Sequence, residues 1–110
     1  MKSLLICIAM IFGQVNSLQD KPIVRLPPNI RVIDPAYGGK LVELINAPAE
    51  VSLPANPPKV DALGRPWLVD IKNLGPSAVN ITWKTEINVP ITPGQTAHIR
   101  TNGKAYALQR

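Results

Sequence analysis

The amino-acid sequence predicts an all-β domain, a small antiparallel sandwich or a small barrel. Three observations point there. Apolar and polar residues alternate through several windows, the pattern of a half-buried strand, and no window repeats with the period of a helix. Turn signals separate the clearest windows about every ten to twelve residues. Twelve prolines, all beyond residue 17, exclude long helices, because each removes a backbone donor and crowds the preceding turn.

The chain begins with a different kind of segment. Met1-Lys2-Ser3 is a short positive start, Leu4 to Phe12 is unbroken apolar sequence, and Gly13 to Ser17 is a polar exit with Val15 and Ser17 placed for cleavage. This is the layout of a secretory signal peptide, expected at 1–17. Its nine apolar residues rise about 13 Å as a helix, against a hydrocarbon core of about 30 Å, so no stable membrane span is expected after cleavage. A lipoprotein site at Cys7 is disfavoured because most of the apolar stretch follows it. The remaining 93 residues are expected in a secreted, periplasmic or extracellular setting. Cys7, the single cysteine, leaves with the signal, so no disulfide supports the domain. Packing, proline-stiffened loops or a partner must supply the stability instead.

Residues 18–36 read as an extended proline-rich arm, with Ile23-Val24-Arg25 and Ile30 to Ile33 as short edge strands. The β-domain is expected over 37–110 and opens on a turn at Tyr37-Gly38-Gly39. Lys40 to Asn46 is the best strand of the first half; a short helix is the alternative, but Gly39 and Pro48 leave it little room. Residues 47–66 hold five prolines and read as a stiff connector between sheets, with a strand from Glu50 to Leu53. No repeated P-x-x-P pattern favours a proline-rich ligand there.

The second half alternates clearly. Trp67, Val69 and Ile71, then Val79, Ile81 and Trp83, then Ile87, Val89 and Ile91, and finally Ile99 should face inward. A slip of one residue would expose them all, so the register is strongly specified. Asn102-Gly103 signals a tight type I′ hairpin, with Lys104 to Gln109 returning. The opposite face carries Asp70, Lys72, Asn80, Thr82, Lys84, Glu86, Asn88, Thr96, His98 and Arg100.

Two segments resemble known modules. Residues 67–82, with the turn Asn73-Leu74-Gly75-Pro76, are similar to a hairpin of bacterial immunoglobulin-like modules in surface and secreted proteins. Residues 89–106, with Pro93-Gly94-Gln95 and Asn102-Gly103, resemble the closing strands of those modules and equally the small β-modules of phage tail and virion proteins. The resemblance implies an Ig-like sandwich and roles in adhesion, display or assembly. It carries no site residue across, since such modules share a scaffold and not a site.

Little chemistry is written into the residues. Loss of Lys2 with the signal leaves eleven basic against seven acidic side chains, a charge of +4. The basic residues are scattered singly among few aromatics, which disfavours nucleic acid as a partner. His98 is the only histidine, so a zinc site lacks ligands, and no cofactor is expected. Ser52 or Ser77 with His98 and Asp70 has the residue types of a hydrolytic triad, but no nucleophile-elbow motif is present. Gly38-Gly39 lacks the Lys-Ser/Thr of a phosphate loop. Asn80-Ile81-Thr82 is a glycosylation sequon, meaningful at Asn80 only in a eukaryotic secretory pathway. The expectation is an exported, non-enzymatic binding or assembly module, with Lys72, Lys84, His98 and Arg100 as candidate contacts. Its partner would be a protein or a second copy of itself. The alternative is a structural subunit of a virion, tail or surface appendage.

Overall fold

Where apolar residues alternate, strands form, and their apolar sides meet in one core. The computed structural model describes residues 21–110. The expected signal segment 1–17, its cleavage point and Cys7 lie outside the described residues. Eight strands are present among them: β1 (Ile23–Leu26), β2 (Leu41–Leu44), β3 (Glu50–Ser52), β4 (Leu68–Asn73), β5 (Val79–Trp83), β6 (Ile87–Ile91), β7 (Thr96–Thr101) and β8 (Tyr106–Gln109). Val69 and Ile71 of β4, Val79, Ile81 and Trp83 of β5, and Ala97 and Ile99 of β7 are buried, as their parity requires. Ile87 and Val89 are only half-buried, because β6 is an edge strand.

The strands form two sheets. One has five strands in the order β1-β2-β4-β7-β8, the other three in the order β3-β5-β6. A single core draws on both. Leu26, Val42, Leu44, Ile71 and Ile99 come from the larger sheet, and Val51, Ile81 and Ile91 from the smaller. Tyr106 of β8 ties them together, with ring edges against Trp83 at 5.1 Å and Trp67 at 6.0 Å between centroids. Its hydroxyl donates to the Pro54 carbonyl at 2.8 Å, and burial pushes its pKa up to about 12.

Two expectations are corrected. Both sheets are mixed, not antiparallel: β1 and β2, β2 and β4, and β3 and β5 pair in parallel. Apolar alternation is identical in both kinds of pairing, so direction is set by the connections. Fourteen residues separate β1 from β2, and the connection from β2 to β4 detours through β3 in the other sheet. Both are long enough for the crossovers that parallel pairs need. Nor is there a closed barrel, since both sheets keep edge strands. Residues 47–66 contain β3 of the smaller sheet and lie between β2 and β4 of the larger one.

Local differences have local causes. Of the segment 18–36, β1 is an edge strand of the five-stranded sheet, a turn follows at 28–29, a 3-10 turn begins at Pro35, and Leu26 and Ile33 are buried. Residues 30–33 form only a bridge, Val32 to Ser52, rather than a strand. Asn102-Gly103 is not a two-residue type I′ turn: residues 102–105 form the loop, and only Gly103 takes a positive φ, 89°. The Asn102 carboxamide instead accepts the N–H groups of Lys104 and Ala105 at 2.8 and 3.0 Å, and the Thr101 hydroxyl donates to the Ala105 carbonyl at 2.6 Å, so side chains close the loop together.

Candidate functional site

Strand parity turns the residues between core positions outward, and register decides which of them meet. Across β4, β7 and β8 the outward rows are Asp70–His98–Gln109 and Leu68–Arg100–Ala107. Asp70 is the hub. Its Oδ1 takes His98 Nδ1 at 2.8 Å and its Oδ2 takes Lys21 Nζ at 2.6 Å, a residue 49 positions away. Burial raises the carboxyl's pKa, but the hydrogen bonds and charges of Lys21 and His98 outweigh it and hold the group below its ordinary value of 3.8. Asp70 is therefore an acceptor at neutral pH, so in this contact the proton sits on His98 Nδ1 and the ring stays exposed. A second ion pair, Arg25 Nε to Glu43 Oε1 at 2.7 Å, crosses from β1 to β2 on the same face.

Beside this hub is a depression of about 410 Å³, lined by Leu68, Asp70, His98, Arg100, Ala107 and Gln109 among others. Another of about 290 Å³ adjoins it, sharing Arg100 and Ala107. Ala107 is the small residue between them. Arg100 and Lys72 make no ion pair among the described residues.

The expected polar face is not one surface. Lys72, Thr96, His98, Arg100 and Asp70 lie on the outer side of the five-stranded sheet; Asn80, Thr82 and Asn88 belong to the three-stranded one. Lys84 follows β5 with a positive φ, its ammonium 4.8 Å from the Trp83 ring centre. Three of the four candidate contacts thus share a sheet and Lys84 does not. Asn80 is on the central strand of the smaller sheet, and its sequon partner Thr82 is buried, with its hydroxyl 3.2 Å from that of Ser52. The triad residues are brought together only in part: Asp70 meets His98, while Ser52 lies in the other sheet and Ser77 in the β4–β5 turn. Among the described residues no group of three His, Cys, Asp or Glu is placed to hold a metal, and no helix is long and apolar enough to cross a membrane.

Sequence reasoning missed Lys21, Leu68, Ala107 and Gln109. Parity alone could have found the last three, since each alternates with a core residue. Nothing local marks Lys21, because its partner is reached through parallel pairing of β2 with β4. Comparison with protein-family models, curated proteins and solved structures found no match.

Proposed function

We propose that this chain is an exported, non-enzymatic binding or assembly module that docks onto a larger partner through the β7–β8 side of its five-stranded sheet. The observation that carries the reading is the open groove over Ala107, walled by Arg100, which makes no ion pair among the described residues, and by a His98 ring anchored on Asp70. A ring held by a half-buried carboxylate is presented in a fixed place, which favours recognition over a mobile surface charge. The layout of residues 1–17 supports export. The two sheets around one core, with the resemblance of residues 67–82 and 89–106, support an Ig-like sandwich with strand directions of its own.

The test is N-terminal sequencing and analytical ultracentrifugation of the native protein with whatever co-purifies. A start at Leu18 and a stable complex or self-association are expected. A strictly monomeric species that engages nothing overturns the reading. A start at Met1 inside a larger particle replaces it with the structural-subunit reading.

A further inference from the structure

Among the described residues the two sheets leave four edge strands, β1, β8, β3 and β6. Three are blunted. Pro22 and Pro27-Pro28 bound β1. The outer side of β3 is covered, with the Ile33 N–H donating to the Ser52 carbonyl and the Ser52 N–H to the Arg31 carbonyl, both at 2.8 Å. β6 contains Pro90, whose carbonyl accepts the Arg110 guanidinium at 3.2 Å. β8 has neither proline nor charge in Tyr-Ala-Leu-Gln and pairs with β7 alone. Proteins normally suppress such an edge unless it is used.

The direction of its free groups follows from the ladder. The Asn73 N–H to Gln95 carbonyl bond at 3.0 Å and the Asn102 N–H to Ala105 carbonyl bond at 3.4 Å fix the same phase. Antiparallel pairs alternate, so Arg100–Ala107 and His98–Gln109 exchange backbone bonds, and the N–H and C=O of Tyr106 and Leu108 point away from β7. The β7–β8 hairpin carries charge of one sign. Residues 96–110 carry Arg100, Lys104 and Arg110 and no acidic side chain; the last acidic residue is Glu86. Asp70 borders the groove, but both its oxygens are taken by Lys21 and His98. The Arg100 side chain lines the depressions on either side of Ala107, which is too small to screen it from the edge.

We propose that an extended acidic segment of a partner protein adds to the free edge of β8 as a sixth strand of this sheet, its carboxylates meeting Arg100 and Lys104. The inference rests on the binding reading above and names the partner's chemistry. A second copy is disfavoured as occupant, because pairing β8 with β8 would juxtapose the basic residues of two hairpins.

The experiment is fluorescence anisotropy of the purified native chain with a labelled peptide of alternating valine and glutamate, against its valine–lysine counterpart. The acidic peptide should bind at least about tenfold more tightly and weaken as salt rises. Leu108→Pro removes one outward N–H and leaves the β7–β8 bonds, and should cost about tenfold in affinity. Lys104→Glu leaves the strand itself untouched and should weaken binding of the acidic peptide alone. Equal affinity for the two peptides, or no loss in a folded Leu108→Pro or Lys104→Glu chain, overturns the proposal. A concentration-dependent dimer abolished by Leu108→Pro assigns the edge to a second copy and overturns the acidic partner while the binding reading stands. An inert monomer that holds neither peptide overturns both.

Discussion

Asn73 shows how one polar residue can organise a turn from inside the core. It is fully buried at the end of β4. Its amide donates to the Ser77 and Ile91 carbonyls at 2.8 and 2.9 Å, and its oxygen accepts the Gly75 N–H at 2.9 Å. It thereby closes the β4–β5 turn and pins it to the end of β6. Asn73→Ala leaves the buried Ile91 carbonyl and Gly75 N–H without a partner, and the urea midpoint should fall by the equivalent of about 3 kcal/mol. Asp70 makes a different prediction. Its pKa is lower in the fold than its ordinary 3.8, so its contribution is present above 3.8 and is lost as pH falls through the folded value. Asp70→Asn should therefore be less stable than the native chain at neutral pH, and the two unfolding curves should converge in acid. A stability gap that stays constant across that range would refute the role assigned to the hub.

At the scale of elements, the turn between β1 and β2 is held by packing rather than by length. Asp34 starts a 3-10 turn at Pro35–Tyr37 by accepting the Ala36 N–H at 2.8 Å. The Trp67 indole N–H donates to the Pro35 carbonyl at 2.8 Å, so the turn sits on the residue that leads into β4. Gly38 lies against Cδ1 and Nε1 of that indole, and a Cβ there would collide with them. Gly38→Ala should cost about 2 kcal/mol and perturb the Trp67 fluorescence. Gly64→Ala meets no atom within 4 Å but strains a backbone held at a φ of 79°, so it should cost stability without changing that fluorescence.

For the whole molecule, one core shared by two sheets has a thermodynamic consequence. Trp67 and Trp83 both pack on Tyr106, and the smaller sheet has only β3, β5 and β6 to bury its inner face. Neither sheet can keep a dry face without the other. Unfolding in urea should be a single transition, with tryptophan fluorescence and far-ultraviolet circular dichroism giving coincident midpoints. Two separated transitions would mean that the sheets are independent, and the aromatic bridge would then carry little of the stability.

Alternation along the chain was enough to determine that the protein is all-β, which residues of β4, β5 and β7 face inward, and that Lys72, His98 and Arg100 face outward. Period-two patterning is a local property, and each residue carries its own facing. The tertiary structure alone decided strand direction, the division of the strands between two sheets, and the meeting of Lys21 with Asp70. It also separated Lys84 from the other three candidate contacts and left β8 as the unblunted edge. These depend on which strands become neighbours. Pairing is made between backbone groups that every residue shares, and the long proline-bearing connections permit either direction, so only the packing of the complete core selects among them.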